Sequence, residues 1–381
     1  MKALIIGCGI AGPVTAMALR EVGVDAEIFE AYGQGAEDVG SFLNVASNGL
    51  AALRVLGAHH KVLSHAIPTP RMVMWSGSGK RLGDVANGLR LDDGTVSHTV
   101  LRSDLYGAMR DEAARRGIQV TYGKRLVSYD ESADRVTARF EDGTEATGDL
   151  LIACDGVHSR TRTILDPQAP AASYSGLYSC GGIVEDAGFT GEPGVYNMVF
   201  GKRAFFGYTV AETGETWWFA NVPRRLGDVP EDWKPVLVRA FEDDANFSAE
   251  LIRRSDVHPP LPIHDLPTVP VWHRGRVLLT GDAAHATSPS AGQGASLAIE
   301  DAVVLARCLR DSGSHTEAFE RFEAERRPRA ERVVAYSRTI SNSKAAGPVT
   351  RVFRDLMLPL FLKKSASQES LAWMYRYQVS L

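Results

Sequence analysis

An α/β fold is predicted, in which a parallel-sheet domain is interleaved with a mainly antiparallel β-sheet domain and followed by C-terminal helices. Three observations predict it. The chain opens as strand, glycine turn, helix and strand. Its middle third is a series of alternating and aromatic runs. It then returns through the buried-strand pattern VLLTGD into a long helical stretch.

Taken in order, Lys2 to Ile6 is an apolar run of strand length, GCGIAG turns the chain, and about Ala11 to Val22 has helical spacing before a second strand, Asp25 to Phe29. From about Ile67 to Leu101, short strand-like runs such as RMVMW, punctuated by SGSGK and LDDG, read as an insertion. Helical spacing returns from Ser103 to about Arg116, and the strand-like IQVTYG, RVTARFEDG and DLLIACDG resume the first domain. Between about Ala171 and Thr268, LYSCGGIV, YNMVFG, AFFGYTVA and TWWFANVP suggest a mainly antiparallel sheet. A helix follows from near Gly294 past Cys308, and everything after about His315 reads as helical. With no repeat and no low-complexity linker, the domains are expected to be discontinuous. Residues 1–66, 102–170 and 269–343 form the first, 67–101 and 171–268 the second, and 344–381 a C-terminal helical segment.

Composition narrows the function classes. The 381 residues are 44% hydrophobic and 23% charged, which is ordinary globular composition. A net charge of -4 with dispersed Lys and Arg argues against a nucleic-acid partner. The four cysteines, Cys8, Cys154, Cys180 and Cys308, form no CxxC pair, so neither a metal site nor a disulfide framework is expected. A reducing, cytoplasmic location fits this usage, and the apolar N-terminal run enters a glycine turn without the cleavage site of a signal peptide. No stretch is long enough for stable membrane insertion; the nearest, LMLPLFL at 356–362, reads as a core helix. The basic stretch Arg326 to Arg332 reads as the solvated face of a helix.

Two glycine regions carry the chemistry. Gly7, Gly9 and Gly12, with Ile10 and Ala11 between the last two, lie after a strand and at the mouth of a helix. There the backbone can approach a pyrophosphate and the helix N-terminus offers partial positive charge. Glu30 lies 18 residues after Gly12, at the end of the second strand, placed to accept hydrogen bonds from an adenosine ribose. These features make the first domain Rossmann-like and dinucleotide-binding. The second region runs from Val277 to Ala302. Asp282, after Gly281 and a buried strand, suits the hydroxyls of a ribityl chain. Pro289, Gly292, Gly294 and Ala295 let the loop pass close to a flat ring and aim the following helix at it.

Together these segments resemble the flavin monooxygenases of the para-hydroxybenzoate hydroxylase family, which includes salicylate and tetracycline hydroxylases, and the resemblance covers most of the chain. GCGIAG with Glu30 resembles the family's FAD fingerprint, and Gly281-Asp282 with Pro289 to Gly294 its second flavin motif. Cys154-Asp155-Gly156-Val157-His158-Ser159, with Arg162 three residues on, resembles the DG motif tied to FAD and nicotinamide binding. Arg102 matches an arginine that contacts the flavin side chain. Two positions depart from the pattern: Cys8 stands where alanine is common and reads as a small buried filler, and Ser296 stands where asparagine is frequent. His285 reads as a backbone-fixing residue rather than a base.

The resemblance implies bound FAD, transient NADH or NADPH, O2, and a flavin C4a-hydroperoxide that hydroxylates or epoxidises a small aromatic or polycyclic substrate, with no protein nucleophile. Trp75, Phe205 and Trp217 are the candidate substrate contacts. Only one GxGxxG opens a βαβ unit, which argues against a separate nicotinamide domain. A flavin halogenase fits poorly because Trp217 and Trp218 are adjacent. A flavin reductase or oxidase without oxygen insertion, and a flavin-binding protein without turnover, remain as alternatives. The expected assembly is a monomer or homodimer.

Overall fold

The computed structural model describes residues 1–33, 41–185, 188, 191–344, 355–359 and 370–381. Strands Lys2–Ile6, Asp25–Phe29, Gln119–Thr121, Leu150–Ala153 and Val277–Leu279 pair in parallel, and His273–Arg274 adds an antiparallel edge. Leu150–Ala153 and Val277–Leu279 are buried at every position, as expected of strands covered on both faces. The register aligns Ile6 with Ala153 and Ala153 with Leu279. The chain therefore leaves three neighbouring strands at one edge of the sheet, at Gly7, Cys154 and Thr280. In open parallel sheets this carboxyl edge is where ligands bind. Helices Ala11–Glu21 and Gly294–Asp311 begin at that edge and pack against each other.

The second large sheet has seven strands, in the order 258–265, 173–184, 216–223, 205–210, 195–200, 71–76, 81–86. It is antiparallel except where Val195–Phe200 runs parallel to Arg71–Ser76. Period-two alternation gives it two faces. Phe206, Tyr208, Trp218, Ala220 and Val222 turn to one, packed with Trp233, Leu237, Phe241, Leu251 and Ile252. Those last residues belong to helices Trp233–Phe241 and Ser248–Arg254, which strand patterns alone had not led us to expect. Trp233, Leu237 and Phe241 recur every four residues, the spacing of a buried helix stripe, and the Asp232 side chain caps it by accepting from the Lys234 N–H. The other face carries Phe205, Trp217, Phe219 and Asn221.

Toward the C-terminus the helix His315–Lys344 is followed by short helical turns at 355–359 and Ala372–Tyr375. Of the LMLPLFL run, 356–359 is helical and the rest lies outside the described residues. Among the described residues no helix is long and apolar enough to cross a membrane.

One expectation is overturned in part. Arg326 is fully buried and Arg329 is 9% exposed, so two of the four arginines of the basic stretch face the core, while Arg332 is exposed as expected. The two buried side chains enter the core to meet Glu300 and Asp301 of the neighbouring helix.

Candidate active site

Gly7, Gly9, Ile10, Ala11 and Gly12 make the turn from the first strand into its helix. No side chain caps this helix, so N–H groups of its first turn have no partner inside it. Glu30 folds back over the turn: its carboxylate accepts from the Cys8 N–H at 2.7 Å and the Tyr32 N–H at 3.0 Å. Burial, with the Glu30 charge beside it, pushes the Cys8 thiol up to about 11, as suits an inert filler.

Gly281 joins the two glycine regions. Its backbone is left-handed (φ 57°), and a side chain there would meet the Cβ atoms of Ala11 and Ala298, each at 3.3 Å. Glycine thus brings both helices against the end of the strand Val277–Leu279. The next residue, Asp282, is exposed although protein crowds it on its remaining sides. That crowding pushes its carboxyl above the usual carboxylate range, against the pull of His285 and Arg102. Arg102, exposed at the start of the helix Arg102–Arg115, is close enough to act on it.

Pro289–Ala291 forms a single 3₁₀ turn, Gly292 is left-handed (φ 61°), and Gly294 and Ala295 open the long helix, again without a side-chain cap. The loop is held from behind by Ser337, which accepts from the Ala291 N–H at 3.1 Å and donates to the Ser288 carbonyl at 2.7 Å. Buried Ser296 accepts from the Ala46 N–H at 3.2 Å, fastening the helix to the segment before Ser47–Val55.

Asp155 is turned inward. It accepts from Ser159 Oγ at 2.5 Å and from the N–H and hydroxyl of Thr161, both at 2.9 Å. Gly156 follows with φ 78°. Arg162 donates to the carbonyls of Val157 at 2.8 Å and Ala283 at 3.0 Å, tying this turn to the Asp282 segment.

The sequence reading missed the network beneath the site. His285, 2% exposed, pairs with the fully buried Asp301 at 2.6 Å. The same carboxylate accepts from Thr280 Oγ1 at 3.2 Å, the Gly281 N–H at 3.0 Å and Arg326 Nε at 2.7 Å. Arg326 continues to Glu300 at 2.8 Å, and Glu300 receives Arg329 and Asn48, both at 2.7 Å. Burial alone would raise the Asp301 carboxyl, but His285 and Arg326 outweigh it and hold it well below the carboxylate range. A signal was present: Glu300 and Asp301 interrupt the apolar run SLAIEDAVVLA, where two charges need buried partners.

Of the candidate substrate contacts, the structure separates Trp75 from the other two. Trp75 turns to the helix-covered face, where its Nε1 donates to Asn197 at 3.0 Å. Phe205 and Trp217 lie on the opposite face, where Phe42 bridges Tyr196, Trp217 and Phe219 with ring centroids 5.7–6.2 Å away. The buried Trp217 Nε1 has no hydrogen-bond partner. The same short strand, Phe42–Val45, places Asn44 against Gly292: a Cβ on that glycine would lie 3.3 Å from its amide nitrogen. The aromatic face is thereby continuous with the glycine loop.

Comparison with known proteins agrees with this geometry. Residues 1–337 match the FAD binding domain family. The FAD-dependent urate hydroxylase of Klebsiella pneumoniae is 33% identical over 347 residues, 89% of each chain. The aurachin C monooxygenase/isomerase of Stigmatella aurantiaca is 30% identical over 359 residues, 88% of each. Among solved structures, Klebsiella pneumoniae HpxO complexed with FAD and uric acid superimposes with a TM-score of 0.88 at 28% identity, covering 98% of this chain and 97% of that one. A salicylate hydroxylase substrate complex shares the fold, with a TM-score of 0.81 at 23% identity over 99% and 96% of the two chains. The exposed Asp282, the two uncapped helices meeting at Gly281 and these matches lead to one conclusion: the chain belongs to the FAD-binding-domain family of flavoprotein aromatic monooxygenases, and its cofactor is FAD.

Proposed function

We propose that the protein takes reducing equivalents from NADH or NADPH and inserts one atom of O2 into a small aromatic or polycyclic substrate. The observation that carries the reading is Gly281, where the close approach of Ala11 and Ala298 brings two uncapped helix N-termini together beside the exposed Asp282. In this reading the Gly7–Gly12 turn receives the FAD diphosphate and Glu30 the adenosine ribose hydroxyls. Arg102 and Asp282 hold the flavin side chain, and Pro289, Gly292, Gly294 and Ala295 lie along the ring. Asp155 and Gly156 shape the turn behind them through the Arg162 bridge. The residues fit the group: each carboxylate oxygen of Glu30 carries one backbone N–H and keeps a lone pair for a hydroxyl. Gly9 faces open space, with nothing within 4 Å of where a side chain would start. When bound, FAD supplies the electron transfer and the activation of O2. The protein's part is to hold it, to place the N-terminus of Gly294–Asp311 where it stabilises negative charge, and to keep water out. The apolar wall of Phe42, Tyr196, Trp217 and Phe219 serves that last task. Segments 1–66, 102–170 and 269–343 are assigned to the FAD-binding domain, 67–101 and 171–268 to the substrate domain, and 344–381 to the C-terminal segment.

Anaerobic titration of the purified protein tests this. Visible flavin absorbance is expected to bleach with NADH or NADPH and to return in air, and an aromatic substrate is expected to incorporate label from 18O2. Flavin that neither nicotinamide reduces, or product without label, would overturn the proposal.

A further inference from the structure

Lys344 ends the long helix His315–Lys344 and crosses to the seven-stranded sheet. Its ammonium donates to Asn221 Oδ1 at 3.2 Å and stands over the rings of Phe205, 4.3 Å from the centroid, and Phe219, at 5.9 Å. The side chain is partly open to solvent while protein crowds the rest of it. This is the condition already seen at Asp282. Among the described residues no carboxylate pairs with it, and burial pulls its ammonium down to about 7. A cation taken from bulk water costs free energy unless an anion meets it, and aromatic faces with one amide oxygen replace only part of its hydration.

Its place in the molecule says what that anion belongs to. Ser337, on the same helix, holds the Ser288–Ala291 segment of the glycine loop. Lys344 follows seven residues later, about 10 Å further along the axis. From the other side, Phe219 meets Phe42 edge-on at 5.7 Å, and Phe42 shares its strand with Asn44, which abuts Gly292. Two separate routes thus tie Lys344, at the far edge of the aromatic face, to the loop assigned to the flavin ring.

We propose that Lys344, backed by Asn221 and floored by Phe205 and Phe219, is a substrate-recognition residue that binds the anionic group of an aromatic substrate and so turns the opposite edge of the ring toward the flavin. This deepens the proposed function and rests on it. An aromatic ring bearing a carboxylate or an ionised ring oxygen matches the subsite: the ring stacks with the aromatic wall and the anion completes the lysine's pairing.

The test uses the FAD-loaded enzyme with benzoate, salicylate and nicotinate, each beside its neutral amide. Binding is read from perturbation of the flavin spectrum and from tryptophan fluorescence, which Trp217 on the same face should report. At least one carboxylate is expected to bind at least tenfold more tightly than its amide. Lys344→Met should remove that preference by weakening the carboxylate and leaving the amide within twofold, and Lys344→Arg should retain it. FAD bound per protein serves as the folding control. Equal affinity for acid and amide, a preference that survives Lys344→Met, or no binding of any of the acids overturns the proposal. Failure of the monooxygenase reading shows itself separately, as flavin that no nicotinamide reduces, while the fluorescence titration still reads the subsite.

Discussion

Replacing Arg326 with methionine is expected to destabilise the protein by about 3–5 kcal/mol. Arg326 is fully buried and bridges two buried carboxylates, Asp301 at 2.7 Å and Glu300 at 2.8 Å. Methionine fills much of the volume but leaves both acids facing an apolar side chain. Glu300 would keep Arg329, and Asp301 would keep only His285 as its ionic partner. The cost is that of breaking the network, which is distinct from its net worth: exchanging all its members for apolar residues could be nearly neutral. Urea unfolding checks the magnitude. The double variant Arg326→Met/Asp301→Asn should lose less than the sum of the two single losses, since the partners act as a unit. A loss below about 1 kcal/mol, typical of an ordinary surface change, would sink the account. The pH dependence has a definite sign. The Asp301 carboxyl is depressed in the folded state, so its stabilisation is complete above the unfolded carboxylate value of about 3.9 and is lost as the pH falls through and below it. Without Arg326 the depression shrinks, and the wild-type advantage over the variant should narrow in acid.

This network also shows where sequence reading stops. The glycine turns at Gly7–Gly12 and Gly281–Gly294 were legible because a turn that must approach a ligand constrains several neighbouring positions at once. The parallel strands were legible because burial on both faces leaves an unbroken apolar run. Arg326 and Arg329 were not, because an arginine every three residues on a helix looks the same whether solvent or Glu300 faces it. Their partners sit on another helix, Asp301 25 residues from Arg326 and Glu300 29 from Arg329, and Asn48, which also meets Glu300, is 252 residues from it. The helices at 233–241 and 248–254 were hidden by their aromatic strand neighbours, although Asp232 and the four-residue spacing of Trp233, Leu237 and Phe241 could have revealed the first. Trp75 parts from Phe205 and Trp217 for a register reason, because strand pairing decides which of the two alternating faces a strand residue takes. Nothing in SNSKAAG marks Lys344, whose surroundings are made by residues 123 and more positions away.

The two glycines that bracket Ile10 and Ala11 should respond to substitution in opposite ways, and the contrast separates architecture from ligand. A Cβ on Gly12 would lie 2.0 Å from the Gly7 carbonyl oxygen, which is backbone and cannot swing aside. Gly12→Ala is therefore expected to strain the turn itself and to lower stability by about 1–3 kcal/mol or more, whether or not FAD is present. Gly9 has nothing within 4 Å of its Cβ position and stands beside an uncapped helix N-terminus. An aspartate there should leave the apoprotein within about 0.5 kcal/mol of wild type or stabilise it slightly, because a carboxylate complements the helix dipole. If the FAD diphosphate occupies that space, the same carboxylate fills and repels it. Gly9→Asp should then weaken FAD binding at least about a hundredfold, roughly 2.7 kcal/mol. FAD per protein after purification, and thermal unfolding with and without added FAD, read both effects, since only a protein that binds the cofactor gains stability from it. A Gly9→Asp protein that keeps a full complement of FAD would show that the diphosphate lies elsewhere, and the assignment of the Gly7–Gly12 turn would fall with it.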